Sequence, residues 1–180
     1  MRKNLHNIKE TAIFAVKTSR KGMDMDNLKE PQFSFDMLYV PPFTRQRGFD
    51  EKTLTNVWEP IVFERKKSGV ALLDAVVDCL IQREDPRTVA WKNGLKVSNL
   101  SVMMVLLTGL NLQEFTTKWK MRLIGELLRH TDMTLKEVMT RCGYTSSTTF
   151  SRIVKKEFGV APIYFRKKLR QRGDLWKYAL

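Results

Sequence analysis

The chain has 180 residues and carries 32 lysines and arginines against 19 aspartates and glutamates, a formal net charge of +13. That length suits one or two small domains with a modest core, and no run of about 18 apolar residues occurs that would let a helix span a membrane. The basic excess is uneven: residues 115–180 hold 15 basic and 5 acidic side chains, a net +10, which leaves +3 for residues 1–114. From the start, MRKNLHNIKETAIFAVK has too short an apolar stretch and no small-residue cleavage pattern for a signal peptide. RKGMDMDNLKEPQ and TRQRGFDEK read as loops, and FSFDMLYVPPF between them as a short strand-like run stopped by Pro41 and Pro42. LTNVWEPIVFERKK places Leu54, Val57, Trp58, Ile61 and Val62 in helical register, with Pro60 kinking or restarting that helix. GVALLDAVVDCLIQRED, residues 69–85, is an amphipathic helix with Leu72, Leu73, Val76, Val77 and Leu80 on one stripe, and Asp85-Pro86 ends it or begins the next.

The middle of the chain is more apolar. The run Leu100–Leu107, which includes Val102, Val105 and Leu106, is hydrophobic nearly all round. Such a helix is normally buried, and where it is exposed the patch marks a partner surface. Two coverings are open: the N-terminal segment of this chain, or another protein chain. From Leu112 to Arg129 a long helix is expected. Leu112, Phe115, Trp119, Leu123, Ile124, Leu127 and Leu128 share one broad face, and Lys118, Lys120, Arg122 and Arg129 occupy the rest. Gly125 in its interior is unfavourable by about 1 kcal/mol against alanine, which suggests a close helix contact there.

Thr134 to Lys168 carries the densest signal. Thr134 and Glu137 form a T-x-x-E capping box, and Leu135, Val138, Met139 and Cys142 give the helix that follows one apolar face. Gly143 comes directly after, where the chain must turn. Thr145 and Ser146 cap a second helix with Phe150, Ile153, Val154 and Phe158 on its inner side. Its outer side presents Ser147, Thr148, Ser151 and Arg152, then Lys155 and Lys156. Small hydroxyls and an arginine suit base edges, while lysines suit phosphates. Gly159 ends this helix and Pro162 opens the next. In the tail, Trp176 and Tyr178 read as residues packed back on the domain, and Arg166, Lys167, Lys168, Arg170 and Arg172 as a solvated basic face adding salt-sensitive affinity.

Other chemistry finds no foothold. Gly-x-Ser-x-Gly, Gly-rich phosphate loops and paired catalytic acids are missing. His6 and His130 have no cysteine or carboxylate at ligand spacing, so no metal, cofactor or catalytic residue is expected. Cys79 and Cys142 fall on apolar helical faces and read as reduced, buried thiols of a cytoplasmic protein.

The segment Gly143-Tyr144, Thr145-Ser146-Ser147, Phe150-Ser151-Arg152-Ile153-Val154-Lys155-Lys156-Glu157-Phe158-Gly159, Pro162 and Phe165-Arg166 closely resembles the second helix-turn-helix of AraC/XylS-type bacterial transcription regulators. Val154 stands for an aromatic, Phe165 for a tyrosine, and Val138-Met139 for an isoleucine-alanine pair. The resemblance implies an all-α fold: two helix-turn-helix units, at about 70–109 and 134–159, joined by a linker helix at about 112–129 and closed by residues 161–180. An N-terminal arm of residues 1–69, partly irregular and with one amphipathic helix, would precede them. That arm is too short and too poor in strand pattern for the β-barrel that usually precedes such units, so no small-molecule effector is expected.

TVAWKNGLKVSNLSVMMVLLTGLNLQEF is similar to the family's first unit, with Ala90 at its small packing position, Gly94-Leu95 at the turn, and Leu100 and Thr108-Gly109 at matching offsets. Where the family presents basic residues to DNA, this chain has Val102, Val105 and Leu106. The resemblance implies a sequence-specific regulator on double-stranded DNA, with Ser147, Thr148, Ser151 and Arg152 facing bases and Ser146, Lys155 and Lys156 on phosphates. It would need a homodimer or partner regulator because the first unit carries apolar residues at the positions where the family presents basic ones. The alternative is an interaction protein that binds another regulator through Val102, Val105 and Leu106 and contacts DNA only weakly.

Overall fold

The computed structural model describes residues 31–169 and 177–180. The opening 30 residues, with most of the expected loop at 20–32, and Arg170, Arg172 and Trp176 lie outside the described residues. The described residues divide into two compact units, one of residues 31–39 and 66–117, the other of residues 40–65, 118–169 and 177–180.

In the first unit, α1 (Phe35–Leu38), α2 (Ala71–Gln82), α3 (Arg87–Lys92) and α4 (Val97–Thr108) precede the start of α5 (Leu112–His130). The stripe on α2 is buried through Leu73, Val76, Val77 and Leu80. At its head, Asp74 accepts hydrogen bonds from the Ser68 backbone N–H at 2.9 Å and the Ser68 hydroxyl at 3.1 Å. Asp85 accepts from the Arg87 N–H at 3.0 Å where α3 begins. Ala90, Leu100, Met104 and Phe115 complete the core, and the Phe115 ring meets Phe35 edge-on at 5.4 Å. Thr108, buried at the end of α4, donates its hydroxyl proton to the Met104 carbonyl at 2.7 Å, which satisfies a group that burial alone would penalise.

The second unit contains the rest of α5, then α6 (Leu135–Arg141), α7 (Ser147–Phe158) and α8 (Pro162–Leu169). It also contains an antiparallel sheet of β1 (Arg45–Asp50), β2 (Thr55–Pro60) and β3 (Tyr178–Ala179), in the order β2-β1-β3. Phe43, Ile124, Leu127, Leu128, Val138, Phe150 and Val154 share one buried cluster. Tyr178 packs back as expected, stacked on Phe43 at 5.1 Å and edge-on to His130 at 4.9 Å.

The sheet corrects the all-α expectation: the fold is mostly helical, with a small three-stranded sheet. LTNVWEPIVFERKK is not a helix. The residues in its apparent helical register do not share a buried face, for Leu54 is 74% and Val62 83% exposed. The β-branched Thr55 and Val57 and the proline at 60 suit a strand end instead, and β1 supplies the pairing partners, Arg47 opposite Trp58 and Gly48 opposite Val57. TRQRGFDEK is correspondingly strand β1 and its turn, in which Asp50 accepts from the Lys52 N–H at 2.9 Å and the Thr53 hydroxyl at 3.0 Å. FSFDMLYVPPF contains helix α1 rather than a strand. Ser34 caps it by accepting from the Met37 N–H, and Phe35 and Leu38, three apart, go inward together. No helix among the described residues is long and apolar enough to cross a membrane.

Candidate nucleic-acid interface

Helices α6 and α7 with the turn between them are built as their sequence dictates. The Thr134 hydroxyl accepts from the Glu137 N–H at 3.2 Å while the Glu137 carboxylate accepts from the Thr134 N–H at 2.6 Å, so the capping box is closed in both directions. These bonds hold the Glu137 carboxyl below the ordinary glutamate range, the backbone N–H of Thr134 most, its hydroxyl next. Gly143 makes the turn at φ +76°, and the Tyr144 N–H reaches back to the Met139 carbonyl at 3.0 Å. The Lys120 ammonium of α5 lies 5.2 Å from the centre of the Tyr144 ring. Burial, then the neighbouring Cys142, pushes the Tyr144 phenol above its ordinary range, so it is a neutral packing group at physiological pH.

Ser146 caps α7, its hydroxyl oxygen accepting from the Thr149 N–H at 3.3 Å. Its proton stays available for an outside acceptor. Phe150 and Val154 are buried, with Ile153 and Phe158 packed beside them. That seats the helix by one face and turns the other outward. Ser147, Thr148, Ser151, Arg152, Lys155 and Lys156 are all exposed on that face. From Ser147 to Lys156 they span ten positions, a stripe of about 14 Å along the axis. Glu157 is the one acid within α7, at the end away from the hydroxyl cluster.

Helix α8 is held against this pair by Phe165 stacked on Phe158 at 4.0 Å. Arg166 was expected on the solvated basic face and is not there. It is half-buried and donates to the Met133 backbone carbonyl. Lys167 and Lys168 do remain exposed.

In the first unit, α3 and α4 lie on either side of Gly94-Leu95, with Ala90 and Leu100 fully buried. Val102, Val105 and Leu106 are half-buried, neither sealed in nor open. The chain just upstream of α1 reaches the far end of this helix, where the Phe33 N–H donates to the Leu107 carbonyl at 3.0 Å. No side chain between Val97 and Thr108 is ionisable, so this helix has nothing to offer a phosphate beyond its hydroxyls and one amide.

A helix-turn-helix domain family matches residues 89–168. The chain is 30% identical over 91 residues to the HTH-type transcriptional activator RhaS of Enterobacter sp. (strain 638), covering 48% of this chain and 31% of that protein. It is 30% identical over 64 residues to the transcriptional activator RhaR of the same organism, covering 36% of this chain and 23% of that protein. It is 30% identical over 80 residues to PqrA of Proteus vulgaris, described as a probable transcription factor, covering 44% and 66% respectively. The chain therefore spans about a third or less of the two activators and about two thirds of PqrA. No solved structure matches it. The motif of α6, α7 and α8, together with these matches, places the chain in the AraC/XylS-type family of bacterial helix-turn-helix proteins.

Proposed function

We propose that this protein regulates transcription by binding double-stranded DNA, with α7 in the major groove. The observation that carries this reading is the outer stripe of α7. Arg152, Lys155 and Lys156 stand exposed beside Ser147, Thr148 and Ser151 on a helix whose opposite face is locked into the core. None of these three charges has an ion pair among the described residues, which leaves them free for an anionic partner. On this reading Arg152 donates both arms of its guanidinium to the two acceptors on a guanine edge. Ser146, at the helix start, and the lysines, further along, grip phosphates and fix the register.

The first unit supplies no comparable grip, so a monomer would bind weakly and a dimer or partner regulator would complete the contact. A second reading rests on the half-buried Val102, Val105 and Leu106: an interaction protein docking another regulator there, with DNA contact secondary. Binding of genomic DNA fragments to wild type and Arg152→Ala at two salt concentrations, with competitor DNA, separates the two. Selective enrichment of certain fragments, lost in the variant, supports the regulator. Weak, salt-sensitive binding of all fragments, indifferent to Arg152, leaves backbone attraction alone and favours the interaction protein.

A further inference from the structure

Strand side chains alternate between faces, and in the β1–β2 hairpin this alternation sorts charge. One face carries Arg45, Arg47 and Phe49 of β1 opposite Pro60, Trp58 and Asn56 of β2, all six exposed. The other carries Gln46, Gly48 and Asp50 opposite Glu59, Val57 and Thr55. Both acids of the strands are thus on the second face, and both are occupied there. The Glu59 carboxylate lies across Gly48, in the space a Cβ would occupy, and accepts from the Gln46 amide at 3.4 Å. The Asp50 carboxylate is committed to the turn, by the Lys52 N–H and the Thr53 hydroxyl. Arg45 and Arg47 consequently have no ion pair among the described residues, although Glu59 is in the strand next to them. Trp58, 42% exposed, and Phe49, 57% exposed, put apolar surface around the two guanidinium groups.

The hairpin is also rooted in the core that seats α7. Phe43, two residues before β1, is buried in the same cluster as Phe150 and Val154, and β3 closes the other side of β1. Each strand is about 20 Å long, enough to present the face at a distance from that core.

From this sorting we propose that the Arg45–Arg47–Trp58 face of the hairpin is a second DNA-contacting surface, with the two arginines on backbone phosphates and the aromatic rings against deoxyribose. The proposal rests on the regulator reading above. It gives the protein a second grip where the α4 helix supplies none. Phosphate contacts release counterions, so two of them are worth a change of about 1.8 in the slope of log affinity against log salt.

The test uses the full chain and the duplex that wild type enriches, and compares Arg45→Ala/Arg47→Ala with Lys66→Ala/Lys67→Ala, which removes the same charge just outside the hairpin. The expected result is a slope shallower by about 1.8 in the arginine variant only, which is about a 12-fold smaller loss of affinity between 50 and 200 mM salt. A benzophenone side chain at position 49 should also crosslink to the duplex. An unchanged slope, or an equal change in both variants, overturns the proposal. So does loss of self-association in the arginine variant with DNA binding intact, which would make the face a contact between copies. If Arg152→Ala still abolishes fragment selection in that case, the regulator reading stands alone; if wild type selects no duplex, both fall.

Discussion

The Arg166 guanidinium donates to the backbone carbonyl of Met133 across 2.5 Å, tying α8 to the connection between α5 and α6 from 33 positions away. A half-buried charged donor on a carbonyl that precedes a helix cap holds structure rather than phosphate. Arg166→Ala should therefore lower stability by about 2 kcal/mol, the range for hydrogen bonds to charged groups. Chemical denaturation checks it: the midpoint should fall with no change in the salt slope of DNA binding. Arg166→Lys should not restore it, since a lysine ammonium is a point charge without the guanidinium's fixed fork of donors.

The capping box predicts how α6 responds to acid. Glu137 has its pKa lowered on folding by the Thr134 N–H and hydroxyl. A carboxyl depressed in the folded state stabilises fully above its unfolded pKa, and that contribution disappears as pH falls through the folded value. Asp50, depressed by the Lys52 N–H first and the Thr53 hydroxyl next, acts in the same direction at the hairpin turn. Wild type should lose stability on acidification below the ordinary carboxylate range, and Glu137→Gln should show a smaller loss over the same interval. Thermal melts at neutral and acid pH measure both. Thr134→Ala should cost about 1 kcal/mol at neutral pH, the usual worth of a cap.

What was legible in the sequence was what is local. The seven apolar residues from Leu112 to Leu128 were placed on one face by their spacing, and all seven are buried. The cap at Thr134, the turn at Gly143 and the exposed stripe of α7 follow from residues no more than four apart. The sheet is different, because β1 pairs with β3 through Arg45 and Ala179, residues far apart in the chain. Its first two strands are mostly exposed on both faces, so the inward–outward alternation that reveals a strand is absent. In its place, Leu54, Val57 and Trp58 gave a spurious helical register. Arg166 was misread for a related reason: burial there is decided by a partner 33 residues away, and nothing in FRKK distinguishes the arginine from the lysines beside it.

Gly125 is where the long α5 helix can be improved. A close backbone approach was the sequence-based reason for a glycine there, but an added Cβ would meet only the tip of the Phe158 ring, at 3.8 Å, an ordinary contact distance. Nothing requires the missing side chain. Gly125→Ala should stabilise the protein by about 0.5–1 kcal/mol through the reduced backbone entropy of the unfolded chain. The denaturation midpoint should rise with the slope unchanged. Gly125→Leu should lose that gain by pushing Phe158 off Phe165, whose rings are 4.0 Å apart.

The outer face of α7 should divide into two kinds of residue by what their loss changes. Ser151 and Arg152 lie one turn from the helix start, while Lys155 and Lys156 lie in its last turn. Arg152→Ala should cost about 1–3 kcal/mol on the preferred duplex, the worth of one bidentate base contact, and relax selection at a single base pair. Ser151→Ala should alter preference at a neighbouring position with a smaller loss. Lys155→Ala/Lys156→Ala should weaken binding to every sequence alike and make the salt slope shallower by about 1.8, with the preferred sequence unchanged. Selection from randomised duplexes, followed by titrations at two salt concentrations, resolves the two patterns. A changed sequence preference in the lysine variant would reassign those side chains to bases, and an unchanged preference in Arg152→Ala would remove the arginine from the reading set.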